Sequence, residues 1–197
     1  MNIVKIIIKN IIDVFYKICF FISRSRYKVI VGKGVIVNGR IFIYSGQGHH
    51  ILIGNGVRIN SSLKSNPIGG ATKTILYAKG DGSISIGNNV GISNTAIVSQ
   101  KKITIEDNVL IGGNCKIYDN DFHSLDFEMR MLPGNVGVSA SPVHIKQGSF
   151  IGAHCIILKG VTIGEYSIIG AGSVVTKDVP DGEIWAGNPA KFIRKNT

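Results

Sequence analysis

The segment that ends at His123 carries the side chains best suited to acid–base chemistry. Asp119, Asp121 and His123 alternate along the chain, and Asp126 follows the histidine. If the chain is extended here, the two aspartates and the histidine lie on the same face. Histidine titrates near neutral pH, and it works better as a base when a carboxylate holds its other ring nitrogen. The spacing makes Asp121 the nearest candidate to orient His123, with Asp126 as a second if the chain turns back.

A six-residue period predicts the scaffold that positions this segment. Neither a helix nor an ordinary sheet keeps that period, whereas a coil of three short strands does, because each hexad supplies one strand and one corner. Four positions after each aliphatic residue comes a residue no larger than valine, as a narrow coil requires. We therefore predict a parallel β-helix, with Cys115 and Cys155 in its core. The aliphatic positions are Ile145, Ile151, Ile157, Ile163, Ile169 and Val175, and the small ones are Ser149, Cys155, Val161, Ser167, Ser173 and Val179.

The repeat extends upstream, and its breaks are informative. The inward positions predicted there are Ile86, Ile92 and Val98, then Ile105, Ile111 and Ile117, with fainter copies at Val31, Val37, Ile53 and Ile59. Seven residues separate Val98 from Ile105, which predicts a bulged corner around residues 100–102. Twenty-eight separate Ile117 from Ile145, which predicts an inserted loop over residues 122–143. Loops of this length in compact domains are usually functional or disordered. Residues 63–82 lack clear hexads.

The first 27 residues form a separate element. They contain no glycine and no period of six, and Lys5, Lys9, Asp13 and Lys17 give a polar stripe at helical spacing. The uncharged stretches are too short to span a bilayer, and no signal-peptide cleavage site is present. The amphipathic helix therefore lies on a membrane surface through residues 1–26, or it caps the first coil or packs between subunits, and the membrane role is compatible with the other two. The β-helix domain is predicted over 28–183 and a tail over 184–197.

The amino-acid composition indicates which classes of binding partner to expect. Lys and Arg number 22 against 12 Asp and Glu, a formal charge of +10, which favours an anionic partner. Nucleic acid is not expected, because the basic residues are scattered and no nucleic-acid-binding motif is present. Three cysteines without a disulfide-like spacing fit a reduced, cytoplasmic protein, peripheral on the inner membrane face if the helix binds there.

Three segments resemble the hexapeptide-repeat acetyltransferases. They are 105–126, which includes Ile105-Glu106-Asp107-Asn108-Val109 and ends past His123, then 168–180, and Trp185-Ala186-Gly187-Asn188-Pro189-Ala190-Lys191. The resemblance covers about residues 84–195 and is closest to the maltose, galactoside and surface-polysaccharide O-acetyltransferases. It implies an all-β, left-handed parallel β-helix and a homotrimer whose active sites lie between neighbouring subunits, each covered by a protruding loop.

The resemblance also implies site residues. His123 matches the general base of the family, and Asn94 lies near its asparagine-containing, substrate-contacting segment, although a turn or ladder role for Asn94 is the alternative. The family's sugar enzymes usually carry Asn-Phe-Asn there and a proline after the histidine. Here the chain reads Ile92-Ser93-Asn94 and Ser124, which argues against a maltose-type acceptor.

Acetyl-CoA is the implied donor, and the last coils are its expected site. Small residues would let the pantetheine arm lie against the coil edge, segment 189–191 would flank the adenine, and cations would meet the phosphates. The candidates are Gly152, Ala153, Gly170, Ala171, Lys177, Pro189, Ala190, Lys191 and Arg194, with Lys195 as a further cation and His154 as a lining residue.

The expected function is acetyl-CoA-dependent O-acetylation of a sugar hydroxyl, on a surface polysaccharide precursor or a related glycan, with His123 as the base. N-acetylation of an amino sugar or small amine and a non-catalytic scaffold are the alternatives. No metal is expected, because His123, His144 and His154 lack the paired spacing of β-helix zinc sites. His49 and His50 are expected in an exposed turn.

Overall fold

The computed structural model describes residues 3–46 and 50–197, without the side chains of residues 3–10 and 13. His49, predicted in a turn, and the charges at Lys5, Lys9 and Asp13 therefore lie outside what is described. Helix α1 (Ile3–Arg26) leads into coils of short strands that build three sheets. All strand pairs within the coils are parallel. The predicted left-handed parallel β-helix with an N-terminal helix is confirmed.

Each sheet forms one face of a triangular coil. Sheet A contains β1 (Ile30–Val31), β4 (Ile51–Ile53), β7 (Ser83–Ile86), β10 (Lys102–Ile105), β13 (Val143–Ile145) and β16 (Thr162–Ile163). Sheet B contains β2 (Ile36–Gly39), β5 (Arg58–Ser61), β8 (Gly91–Ser93), β11 (Leu110–Gly113), β14 (Phe150–Ile151), β17 (Ile168–Ile169), β19 (Glu183–Gly187) and β20 (Ala190–Lys195). Sheet C contains β3 (Phe42–Ser45), β6 (Ile75–Ala78), β9 (Ala96–Ser99), β12 (Lys116–Tyr118), β15 (Ile156–Ile157) and β18 (Val174–Val175). A short helix, α2 (Phe127–Met131), lies in the inserted loop, and a 3-10 turn (Pro67–Gly69) lies in the irregular segment.

The core is a stack of aliphatic side chains, because side chains alternate in and out along each strand and equivalent residues align from coil to coil. Ile105 pairs with Ile86 on one side and Ile145 on the other, and all three are almost fully buried. Cys115 and Cys155, predicted in the core, are also fully buried.

The predicted inward position of Val98 is wrong. Ile97 points inward and is 0% exposed, whereas Val98 faces outward from sheet C. The corner before β9 is one residue shorter than a regular hexad, and Asn94 turns it in the left-handed conformation, with φ of 44°. The extra residues therefore lie after β9, since eight residues separate Ile97 from Ile105 against six from Ile157 to Ile163.

A ladder of side chains holds the corner between sheets A and B. Asn55 Oδ1 accepts from Lys33 N, Asn88 Oδ1 accepts from Asn55 N, and Asp107 Oδ1 accepts from Asn88 N at 2.7 Å. Each side chain thus satisfies the backbone of the preceding coil, which a corner without ladder hydrogen bonds otherwise leaves unpaired.

Asp107→Asn is predicted to weaken the fold only where the carboxylate is ionised. The backbone N–H of Asn88, and then its side chain, lower the pKa of Asp107 below its usual 3.8. A lowered pKa contributes stability that is present above the unfolded-state pKa and lost as pH falls through the folded-state value. We therefore expect the melting temperature of the variant to lie below that of the wild type at neutral pH and to converge on it in strong acid. A constant difference across that range would contradict the assignment.

Helix α1 covers the open end of the first coil. It contacts β2 and β3, and Phe20 and Tyr27 pack against the core. At the other end, β20 folds back antiparallel on β19, which itself continues sheet B beyond β17. Among the described residues, no helix combines the length and the apolar character that a bilayer-spanning segment needs.

Candidate active site

A cavity of about 570 Å³ lies on the outer face of sheet C, beneath the inserted loop. Its floor comes from outward positions of the first three strands of the sheet and from the residues that follow β6 and β9, and its rim comes from the loop. The floor residues are Phe42, Ile75, Tyr77, Lys79, Val98 and Gln100, and the rim residues are Phe122, His123 and Asn135. The cavity is thus largely apolar, with a few polar groups, as is typical of small-ligand sites.

The base of the loop aims His123 at this cavity. The outgoing and returning chains pair through Asp121 N to Ser139 O and Ser141 N to Asp119 O. Phe122 then adopts a positive φ of 61°, and His123 N donates to Asp121 O at 2.6 Å, which closes a tight turn. Such a conformation is unfavourable for a bulky residue and persists only where its surroundings enforce it. The histidine therefore leaves the coil at a sharp angle.

Asp119 enforces that geometry from below. Its carboxylate is fully buried and accepts hydrogen bonds from Ser99 Oγ and from the backbone N–H groups of residues 100, 101 and 102, at 2.7–2.9 Å. Asn120 Nδ2 donates to the same carboxylate, and Asn120 Oδ1 accepts from Phe122 N. One buried acid thus fixes both the long corner that carries Gln100 and the turn that carries His123.

The His123 ring is exposed and makes no hydrogen bond to any described residue of the same chain. Neither predicted orienting carboxylate contacts it. Asp121 Oδ2 lies 3.2 Å from Lys159 Nζ, and Asp126 Oδ1 accepts from Met129 N at the start of α2. Within one chain, His123 therefore presents both ring nitrogens to the cavity mouth or to solvent.

Tyr118 lies beside the turn, with its ring 5.3 Å from that of Phe122. Burial, and then the charge of Asp121, raise the pKa of Tyr118. The phenol therefore stays protonated in neutral solution and can donate a hydrogen bond there.

Asn94 does not face the cavity. It is 0% exposed, and its Nδ2 donates to Gly70 O at 3.2 Å, which ties the irregular segment to the coil. The adjoining Gly69 packs so closely that a Cβ would lie 2.5 Å from Asn94. In this arrangement Asn94 supports a turn and is closed off from solvent.

The small residues expected near the donor lie at one corner of the last coils. Gly152 lies between β14 and β15, and Gly170 lies at the equivalent position one coil later, between β17 and β18. A Cβ on Gly152 would lie 2.6 Å from Ala171 N, and one on Gly170 would lie 2.8 Å from Ala186 Cβ. The next coil therefore requires these glycines. Ala171 and Pro189 are exposed and Ala153 is half-buried, whereas Ala190 is buried.

The expected phosphate-binding cations do not converge within one chain. Lys177 is exposed after β18, between sheets C and A, whereas Lys191 and Arg194 are exposed on β20 of sheet B. These places lie on opposite sides of the triangular coil. Lys195 pairs with Glu183 at 2.7 Å, and this ion pair, followed by the Trp185 indole, lowers the pKa of Glu183.

The other histidines lie elsewhere. His144 Nε2 lies 2.6 Å from Glu106 Oε1 on the outside of sheet A, and His154 contacts Asn114 at the corner between sheets B and C. Among the residues described, no group of three or more His, Cys, Asp or Glu side chains could hold a metal ion.

The cavity floor is not predicted by the hexad pattern. Phe42, Tyr77 and Val98 occupy outward positions, where the hexad pattern has no requirement, and β6 lies within a segment that shows no clear hexads. A usable signal was the repeat of aromatic residues in Phe42-Ile43-Tyr44 and Ile75-Leu76-Tyr77, which the strand register aligns.

Comparison with known proteins agrees with the repeat and the fold. The family described as bacterial transferase hexapeptide (six repeats) matches residues 142–177, and the hexapeptide repeat of succinyl-transferase matches residues 102–117. The galactoside O-acetyltransferase of Escherichia coli is 39% identical over 121 residues, which are 61% of this chain and 58% of that protein.

Two solved structures are similar to this chain in fold. A galactoside acetyltransferase in complex with coenzyme A superposes with a TM-score of 0.56 at 27% identity, covering 89% of this chain and 68% of that one. A variant of AntD, an N-acyltransferase from Bacillus cereus in complex with dTDP and coenzyme A, gives a TM-score of 0.68 at 26% identity, covering 87% and 85%.

The matches to the first three curated relatives span 43%, 58% and 35% of those proteins, which is less than two thirds of the length of each. The chain thus carries hexapeptide repeats and is similar, in sequence and in fold, to the hexapeptide-repeat acetyltransferases.

Proposed function

We propose that the protein is an acetyl-CoA-dependent O-acetyltransferase that modifies a sugar hydroxyl, on a surface polysaccharide precursor or a related glycan. The observation that carries the proposal is an exposed His123, without a hydrogen-bond partner among the described residues, at the mouth of an apolar cavity of about 570 Å³. Aromatic floor residues such as Phe42 and Tyr77 suit the apolar face of a sugar ring, and polar Gln100 and Asn135 suit its hydroxyls.

In the proposed reaction, His123 acts as the general base. It removes the proton of the acceptor hydroxyl as the oxygen attacks the thioester carbonyl of acetyl-CoA. A C–O bond forms, the tetrahedral intermediate collapses, and the C–S bond breaks. The CoA thiolate leaves and takes the proton back from the imidazolium, so the products are an acetyl ester and CoA thiol. No covalent enzyme intermediate is needed.

The donor site is proposed to lie between copies of the chain in a homotrimer. The cations Lys177 and Arg194 lie on opposite sides of one coil, so two neighbouring copies together supply a more complete phosphate site than one chain does. The loop over the cavity also exposes apolar side chains, with Leu125 78% and Phe127 60% exposed. Contact with a neighbouring copy would bury them.

A second candidate is N-acylation of an amino sugar. The similarity to AntD, an N-acyltransferase, favours it specifically, and the same histidine base serves an amine once the amine is neutral. Paired alcohol and amine forms of one sugar separate the two functions. A silent scaffold is the remaining alternative, and an exposed histidine held by a strained turn argues against it.

Calorimetric titration with acetyl-CoA, with CoA in parallel, is expected to give saturable binding at one site per chain. Lys177→Ala and Arg194→Ala should each weaken binding several-fold, since each removes a charge-assisted contact to phosphate worth roughly 1–2 kcal/mol. Lys64→Ala, an exposed lysine in the irregular segment far from the last coils, is the matched control and should bind as the wild type does. Absence of binding by the folded wild type would leave the scaffold as the better explanation.

A further inference from the structure

Helix α1 presents an apolar stripe that faces away from the β-helix. Ile11, Phe15, Ile18 and Ile22 are spaced by four, three and four residues, which places them on one side of a helix. They are 63%, 57%, 51% and 57% exposed. Tyr16, Phe20 and Ser23, on the other side, are half-buried, and Phe20 packs against the core. Capping the coil therefore accounts for one side of the helix only.

Cations flank this stripe. Lys17 and Arg24 are exposed on one side of it, and Arg26 is exposed at the end of the helix. The first turn of the helix has no acidic residue, and the whole chain carries a formal charge of +10. An apolar face bordered by Lys and Arg is complementary to an anionic bilayer surface, where the apolar groups enter the acyl boundary and the cations reach the headgroups.

The helix is also next to the candidate active site. Its C-terminal residue Arg26 lies 5.6 Å from the Tyr27 ring, Tyr27 lies 5.5 Å from Tyr44, and Tyr44 stacks on Tyr77 at 4.6 Å. Tyr77 lines the cavity that His123 overlooks. The cavity extends to Phe42 on β3, the first strand of sheet C and a strand that α1 contacts. Its far edge is thus one strand away from the helix.

From these observations, and resting on the function proposed above, we infer that α1 docks on an anionic membrane surface and that the acceptor is a glycan linked to a membrane lipid. The lipid stays in the bilayer under the stripe, and its sugar crosses the row of tyrosines to reach His123. A helix of 24 residues is roughly 36 Å long, which gives a broad contact in the plane of the membrane. In a trimer of parallel coils, all three helices lie at the same end and dock together.

Flotation with vesicles tests the docking half. The full chain is mixed with vesicles of phosphatidylcholine alone or with an equal part of phosphatidylglycerol, at low and high salt. We expect flotation with the anionic vesicles, weakened by salt. The double variant Phe15→Ser with Ile18→Ser should lose about tenfold or more in bound fraction, because two of the stripe's large apolar groups are removed. The control is Leu63→Ser with Ile68→Ser, which removes two equally exposed apolar groups at 58% and 62%.

Equal flotation of both double variants would overturn the docking. The stripe could instead hold copies of the chain together. In that case the double variant Phe15→Ser with Ile18→Ser changes the oligomeric state in sedimentation analysis, and the wild type does not float with vesicles. This result also overturns the inference. Thermal melts of both variants establish that each is folded.

Acetyl transfer tests the acceptor half. Octadecyl galactoside in the anionic vesicles is compared with methyl galactoside in solution, by thiol release from acetyl-CoA. We expect the wild type to favour the vesicle-borne sugar at least tenfold, and the stripe variant to lose this preference while its rate on methyl galactoside is unchanged. Transfer to methyl galactoside with no preference for the vesicle-borne sugar overturns the lipid-linked acceptor but leaves the proposed function standing. Acetyl transfer to neither sugar counts against both the lipid-linked acceptor and the proposed function. The flotation experiment then still decides whether α1 docks on the membrane.

Discussion

Replacement of His123 by alanine should lower the rate of acetyl transfer by about a thousand-fold, within the range that general-base catalysis contributes. The imidazole is exposed at the cavity mouth and makes no hydrogen bond within the described chain, so its removal disturbs little else. The loss should therefore fall on kcat, with acetyl-CoA binding preserved.

Two controls separate this result from a loss of structure. His144→Ala removes another histidine, whose side chain is 39% exposed and paired with Glu106 on sheet A, on a different face of the coil from the cavity. It should transfer acetyl at the wild-type rate. In addition, His123→Ala should melt as the wild type does, because the imidazole makes no hydrogen bond to any described residue of the chain. Wild-type turnover by His123→Ala would remove the histidine from the mechanism and favour the scaffold.

The hexad pattern predicts those positions of the molecule at which the packing environment is the same in every coil. Ile145, Ile151 and Ile157 meet the same narrow core at every turn of the coil, so the periodicity of their side chains indicates the fold directly. The same periodicity cannot show that one corner is shorter than the others. It placed Val98 inward because six residues separate it from Ile92, whereas the short corner at Asn94 moves Ile97 into that position.

The candidate site follows a different rule. His123 could be identified because it stands where the repeat breaks and because it matches a family motif. The cavity beneath it could not be, since Phe42, Tyr77 and Val98 come from three coils with unequal corners, and only strand register brings them together. The ion pair of Asp121 could not be predicted from the sequence either, because its partner Lys159 lies 38 residues later, beyond the inserted loop.

The acid that sets the site geometry was predicted only to share a face with His123. Asp119 instead points into the coil, and every group around its carboxylate is a hydrogen-bond donor. Oδ2 accepts from Ser99 Oγ and the N–H groups of Lys101 and Lys102, and Oδ1 accepts from Gln100 N and Asn120 Nδ2. Buried donors of this kind need an acceptor, and each one left unpaired costs about 1–3 kcal/mol.

Asp119→Asn is therefore expected to be strongly destabilising although it changes the shape of the side chain very little. Whichever way the amide is oriented, its NH₂ group faces donors and leaves at least two of them without an acceptor. We expect a loss of about 3 kcal/mol, seen as a melting temperature lower by roughly 10 °C for a chain of this size. Asp126→Asn is the matched control, because asparagine caps α2 as well as aspartate does, and it should melt as the wild type does.

The same substitution should impair catalysis beyond its effect on stability. At temperatures where Asp119→Asn remains folded, the corner that carries Gln100 and the turn that carries His123 both lose their common anchor. Displacement of a base by even an ångström is enough for a large loss of rate, so kcat should fall at least tenfold. The affinity for acetyl-CoA should stay unchanged, since the proposed donor residues lie on the last coils. A variant with wild-type kcat at reduced stability would limit Asp119 to a structural role, and wild-type stability would contradict the donor-only environment that the structure assigns to it.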